Sequence, residues 1–258
     1  MSVKSLYFIW DKEGKMLKNQ IRRILQKVLG FHRYLFLFAL FTIRRLPYAK
    51  AYADFRYFLA LIPDEGTLLD IGANIGVTAS ILARRFPHSQ VLAFEPIPDN
   101  LETMQKVVRF QKIQNIQIFA TALGDTDGLV NMQVPEINGS RMQGLSLVVE
   151  NEYDPAYPSG PSYQVPVQML DHMSAIQTTR KISAIKIDVE NYEYFVLSGA
   201  KETIRKHQPL LFCELWNNER RNPCIQLMSE LGYRCFVLQQ KKLVPFEGQD
   251  SLNFIFFH

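Results

Sequence analysis

Two acidic motifs carry the sharpest chemistry in this 258-residue sequence. The first is Leu69-Asp70-Ile71-Gly72-Ala73-Asn74-Ile75-Gly76, with Glu95 lying 25 residues after Asp70. Gly72 and Gly76 let a backbone turn sharply and come close to a ligand, because no Cβ intrudes. Asp70 can accept from a cationic amine, directly or through water. Glu95 can accept both hydroxyls of a ribose, as acidic residues do at a similar offset in dinucleotide-binding folds. The second motif is Ile185-Lys186-Ile187-Asp188-Val189-Glu190, followed by Glu193 and, later, Glu214. Crowded carboxylates raise one another's pKa, which makes one of them a usable base near neutral pH. Asp188 or Glu190 is the expected base, Glu214 the residue that orients an acceptor, and Lys186 the cation among them. The plainer alternative is that Asp188 only orders a turn and Lys186 merely pairs with it.

These motifs exclude some cofactors. The fingerprint G-x-G-x-x-G fails: Asn74 takes the second glycine position, and Ala79 stands three beyond Gly76. A pyrophosphate needs the close approach glycine gives, so a nicotinamide dinucleotide is disfavoured. No Walker A loop is present. A nucleoside bearing an amine fits the pair Asp70 and Glu95, and S-adenosylmethionine is such a molecule. Methyl transfer from it is an in-line displacement that needs an aligned nucleophile and a proton acceptor. The carboxylates could instead hold Mg²⁺, but no D-x-D-x-D-G spacing supports this and no metal is expected. His172 and His207 are alternative bases, better read as surface or capping residues. Tyr153, Tyr157 and Tyr163 could stack on a sugar, or simply pack on the body.

The elements that must position these residues alternate regularly. Apolar runs at 67–71, 91–94, 116–120, 182–187 and 210–215 read as strands, with helical patterns at about 75–86 and 100–110. Runs at 233–238 and 253–257 lack a helix between them and suggest an antiparallel pair. The expectation is an α/β fold with a mostly parallel seven-stranded sheet and helices on both faces. The stretch 124–168 breaks the rhythm with Asp127-Gly128, Asn138-Gly139, Pro155 and Pro158. It reads as a β-rich insertion within a domain spanning 61–258.

Residues 1–60 form a separate extension. They hold 12 Lys and Arg against 3 Asp and Glu, a net of +9, while the remainder nets −5. The acidic remainder argues against a nucleic-acid groove. Leu17, Ile21, Ile24, Leu25 and Val28 recur at helical spacing among Lys18, Arg22, Arg23 and Lys27, the pattern of a basic amphipathic helix. The uncharged run Tyr34–Ile43 falls short of the ~20 residues that cross a bilayer. No small-residue cleavage site follows it. Helices that pack on the body and cover the pocket are the expectation. A second reading lays the segment on a membrane surface. Cys213, Cys224 and Cys235 form no C-x-x-C pair, and Cys213 reads as core. The odd count suits a reducing, cytoplasmic compartment. The oligomeric state is left open.

The two motifs, together with Phe94-Glu95-Pro96, Val165–Asp171, Val196–Ala200 and Pro209–Glu214, resemble the FkbM family of methyltransferases. The resemblance spans about 66–257. It implies a class I methyltransferase fold, Rossmann-like, with S-adenosylmethionine as donor. It also implies O-methylation of a hydroxyl on a carbohydrate, glycan or natural product, so that the partner is a small-molecule or glycan acceptor. It carries over Asp70, Gly72, Asn74, Gly76 and Glu95 as cofactor residues, with Ala73 in the same turn and Ala122 beside the adenine. One departure is Asn191, where the family commonly has glycine after its Asp-x-Glu. A catalytically silent cofactor-binding or scaffold protein, anchored through its basic N-terminus, is the alternative. The retained acidic cluster argues against it.

Overall fold

The structure is a computed structural model that describes residues 12–137, 139–149 and 160–258. Its centre is an eight-stranded sheet in the order β13-β12-β14-β11-β10-β1-β2-β3. The strands are β1 (Thr67–Ile71), β2 (Gln90–Phe94), β3 (Ile116–Phe119), β10 (Ile182–Ile187), β11 (Leu210–Glu214), β12 (Arg234–Gln239), β13 (Lys242–Pro245) and β14 (Asn253–Phe257). β3, β2, β1, β10 and β11 run parallel; β14, β12 and β13 pair antiparallel. The seven expected strands are all present. The eighth, β13, extends the sheet as the outer arm of a hairpin with β12.

Continuous burial along β1 and β10 follows from helices covering both faces. On one face Leu69, Ile71, Ile185 and Ile187 meet Val196, Leu197, Ile204, Leu227 and Met228. Those residues belong to the helices Glu193–Ser198, Lys201–His207 and Arg221–Glu230. On the other face Leu68 and Ala184 meet Phe58, Leu82 and Met104, from the helices Ala53–Leu61, Val77–Arg85 and Pro98–Phe110. Cys213 is core, as expected.

The chain steps outward from β1 through β2 to β3, then returns to the other side of β1 as β10 and steps outward to β11. Winding therefore reverses between β1 and β10. A crevice opens at the carboxyl ends of strands at such a reversal, and ligands bind there. The Gly72 turn follows β1 and the acidic motif follows β10, so topology brings the two motifs together.

The N-terminal segment packs on this body. Helices α1 (Lys12–Leu29) and α2 (Phe31–Arg45) form a hairpin around Gly30. Tyr34, Leu35, Ala39 and Ile43 of α2 pack on Ile75 and Val107. Arg56 donates to the carbonyls of Leu46 and Ala49, fixing the bend into the helix Ala53–Leu61. The insertion forms a four-stranded sheet in the order β4-β9-β5-β8, comprising β4 (Ala122–Leu123), β5 (Gly128–Gln133), β8 (Leu147–Val148) and β9 (Ser162–Gln168). A short hairpin, β6 (Glu136–Ile137) with β7 (Ser140–Arg141), reaches α1, where Gln26 exchanges hydrogen bonds with the Arg141 backbone. Asn138, Tyr153, Pro155, Tyr157 and Pro158 lie outside the described residues.

Candidate cofactor and acceptor site

The turn after β1 is tied to its neighbour. The amides of Gly72 and Ala73 both donate to the Phe94 carbonyl at the end of β2, at 3.1 and 2.9 Å. Gly72 has φ +75°, and a Cβ there would overlap the backbone carbonyl of Asp188. Its lack of a side chain lets the ends of β1 and β10 close on each other. Asn74 also takes a left-handed φ of 51°, a conformation Asn tolerates better than most residues. Its amide donates to Glu95 Oε2 at 2.9 Å.

Glu95 is buried and organises the cavity floor. Its Oε1 accepts from the Ile97 amide at 2.8 Å and from Asn100 Nδ2 at 3.1 Å. Burial pushes its pKa up to about 7, against these hydrogen bonds, which lower it. Oε2 has a single protein donor among the described residues and so keeps acceptor capacity.

Asp70 departs from its expected role. It is fully buried and does not line the cavity. In-register pairing of β1 with β10 sets it beside Lys186. Lys186 Nζ lies 3.3 Å from Asp70 Oδ1 and 3.4 Å from Asp188 Oδ2, and it donates to the Gly72 carbonyl at 3.0 Å. Thr78 donates to the other Asp70 oxygen at 2.5 Å. Asp70 thus holds Lys186 and is screened from an incoming amine. Burial would lower the lysine's pKa, but Asp70 and Asp188 outweigh it and hold the group above its ordinary value, so it stays cationic. Gly76 departs too. It caps the helix Val77–Arg85 in a left-handed conformation, and a Cβ there would meet Met104 rather than a ligand. The helix consequently starts at Val77 and not near Ile75. Ala73 and Ala122 both line the cavity.

Past β10 the chain turns through two residues of positive φ, Glu190 at 51° and Asn191 at 74°. Asn191 thus adopts the backbone that glycine commonly supplies. Glu193 fixes the turn by accepting from the amides of Val189 and Asn191 at 3.1 and 3.2 Å. Burial pushes its pKa up to about 7. Asp188, Glu190 and Glu214 all line the cavity. Glu190 Oε2 is shielded from solvent and has no hydrogen-bond partner among the described residues. Burial first, and then the charges of Asp188, Glu214 and Glu193, hold its pKa well above the carboxylate range. Burial and the Asp188 charge push Glu214 up to about 8, against the pull of Lys186. Among the described residues no three His, Cys, Asp or Glu side chains form a metal-holding group.

The cavity measures about 1430 Å³. Besides the sheet ends, its wall takes Gln143 from the insertion and Arg22, Tyr34, Phe38 and Tyr52 from the N-terminal segment. Gln143 Nε2 and Asn100 Oδ1 are, like Glu190 Oε2, buried polar atoms without a partner among the described residues. Such atoms are costly unless a ligand or water satisfies them, and all three belong to residues facing the cavity. Tyr52 was not singled out from sequence, because it sits in an aromatic pattern that reads as packing. Burial, then the charges of Asp188 and Glu214, raise its phenol pKa and keep it a hydrogen-bond donor. His172 instead pairs with Asp127 at the surface, His207 accepts from the Ile182 amide, and Tyr163 bonds to Asp99. None of the three lines the cavity.

A doubly wound sheet with this cavity at its reversal point is the class I methyltransferase fold. The Methyltransferase FkbM domain matches residues 70–235, and the chain belongs to that family. It is 27% identical over 164 residues to Methyltransferase 1 of Beauveria bassiana, covering 58% of this chain and 64% of the relative. It is 23% identical over 209 residues to Methyltransferase sdnD of Sordaria araneosa, covering 71% and 79%. Among solved structures, the methyltransferase FkbM of Methylobacillus flagellatus matches with a TM-score of 0.54 at 17% identity, over 96% of this chain and 61% of that one. The chain thus spans less than two thirds of the length of the first relative and of this structure.

Proposed function

We propose that this protein transfers a methyl group from S-adenosylmethionine to a hydroxyl on a carbohydrate, glycan or natural product. The observation that carries the reading is Glu190. It lines the cavity with Asp188 and Glu214, and one of its carboxylate oxygens is buried with no hydrogen-bond partner among the described residues, on a turn packed against Gly72 through Asp188. A non-glycine residue held at positive φ is costly, and such strain concentrates at functional sites.

The residues present fit the cofactor. The acceptor capacity of Glu95 Oε2 suits a ribose hydroxyl, and the walls at Ala73 and Ala122 suit the adenine. When bound, S-adenosylmethionine supplies an electrophilic methyl on a positively charged sulfur. The cavity exceeds the roughly 300–1,000 Å³ of ordinary ligand pockets, which leaves room for an acceptor beside a nucleoside. Glu190 takes the acceptor proton; burial and its acidic neighbours hold its pKa above the ordinary carboxylate range, which makes it a stronger base than a free carboxylate. Glu214 and the Tyr52 phenol orient the acceptor hydroxyl. Lys186 holds Asp188 and the Gly72 carbonyl in place between the two halves of the site.

Incubating the full chain with methyl-labelled S-adenosylmethionine and a panel of carbohydrates and natural-product alcohols tests this. S-adenosylhomocysteine release with the label on oxygen is expected. Label found on nitrogen or carbon would refute the acceptor class, and no release across the panel would favour the silent alternative.

A further inference from the structure

We propose that the outer face of α1 is a docking surface for a bilayer bearing anionic headgroups. An amphipathic helix on a globular body ordinarily turns its apolar stripe inward. Over residues 19–29 helix α1 does largely the reverse: its half-buried side carries Asn19, Arg22 and Gln26, with Leu29 at the end the one apolar residue packed inward. Gln26 bonds to Arg141 and Arg22 reaches the Met142 sulfur. Its outer side carries Ile21, Ile24, Leu25 and Val28 at spacings of three, one and three, exposed by 48, 59, 39 and 75%. The second arm of the hairpin also exposes Leu37 and Phe41, by 49 and 57%.

Charge decides what covers this face. Arg23 and Lys27 lie exposed on α1, and Arg33, Arg44, Arg45 and Lys50 are exposed along the rest of the segment. Residues 1–60 net +9. A second copy docked face to face would set that charge against itself. An anionic lipid surface attracts it, while the acyl boundary takes up the apolar stripe. Among the described residues no helix is long and apolar enough to cross a membrane, so the mode of contact is docking on the surface. The proposal does not depend on methyl transfer.

The test is sedimentation of the full chain with vesicles of phosphatidylcholine alone and of equal parts phosphatidylcholine and phosphatidylglycerol. Binding to the anionic vesicles at least about tenfold tighter than to the neutral ones is expected, weakening as salt is raised. Ile24→Glu with Val28→Glu should weaken that binding by about tenfold or more, with thermal unfolding and S-adenosylhomocysteine affinity unchanged. Failure of the parent chain to bind either vesicle would overturn the proposal, as would a double variant that binds as well as the parent. A dimer broken by the same substitutions, with no vesicle binding, would assign the face to a second copy and equally overturn it.

Discussion

Lys186 reaches from β10 to the carbonyl of Gly72, 3.0 Å away, and so joins the acidic motif to the glycine turn. Asp70 lies 3.3 Å away on its other side, with both side chains almost wholly buried. Removing one partner of a buried pair leaves an uncompensated charge. Lys186→Met should therefore lower the unfolding free energy by about 3–5 kcal/mol, measured by urea denaturation. Lys186→Met combined with Asp70→Asn should recover much of that loss. A single variant as stable as the parent would mean that the pair does not hold the two halves together.

Glu190→Gln keeps the shape of the side chain and removes its basicity. Turnover should fall by about 10²-fold or more, while S-adenosylhomocysteine affinity in calorimetry stays close to the parent's. Asp188→Asn should also slow turnover, through the position of Lys186. If Glu190→Gln retains full activity, the proton goes elsewhere.

Tyr52→Phe removes a phenol from the cavity wall that Asp188 and Glu214 also line, and keeps the ring there. Loss of one hydrogen bond should raise the acceptor KM by about fivefold to tenfold, with cofactor affinity unchanged. A change confined to cofactor affinity would move Tyr52 to the other side of the site.

The two glycines should respond differently to alanine. A Cβ on Gly72 meets the Asp188 backbone, which no side-chain truncation can relieve; at Gly76 it meets the Met104 side chain. Both variants pay for positive φ, at least about 1 kcal/mol each. Met104→Ala removes the Cγ that would clash most closely, so it should relieve part of the Gly76→Ala melting-temperature loss and none of the Gly72→Ala loss.

How much of this was legible in the sequence depended on what each signal requires. The strands 67–71, 182–187 and 253–257 are legible to the residue because short, mostly apolar runs between turn residues mark buried strands. Strand β13 was missed. Its hairpin turns at Gln240 and Lys241, both at positive φ, without the Asn-Gly or Asp-Gly signal such turns favour. Its one neighbour is β12, and Pro245 sits at its end, as proline can on an edge strand. The role of Asp70 was illegible because it depends on its register with Lys186, a pairing between strands more than a hundred residues apart. Tyr52 depended on the same kind of long-range placement.

Stability and turnover should move in opposite directions with pH. Glu95, Glu193 and Glu214 are pushed up to about 7, 7 and 8 in the folded state. Between their ordinary values and these, the folded chain binds more protons than the unfolded one. Stability from these groups is therefore full below about pH 4.5 and is lost as pH rises to about 8. The melting temperature should be lower near pH 8.5 than near pH 6, and Glu214→Gln should flatten the slope. Turnover should climb as pH rises, because burial and its acidic neighbours hold the Glu190 pKa well above the carboxylate range and it must lose its proton to act as a base. A melting temperature that rises with pH across this window would contradict the buried, raised carboxylates.

The most direct measurement is calorimetric titration of S-adenosylhomocysteine into the full chain, the Glu95→Gln variant and an Ala122→Phe variant that fills the cavity wall. One site of micromolar affinity is expected in the parent. Each variant should bind roughly tenfold or more weakly, the first from the altered ribose acceptor and the second from lost space. No heat from the parent chain, or parental affinity in both variants, would contradict binding of the nucleoside in this cavity.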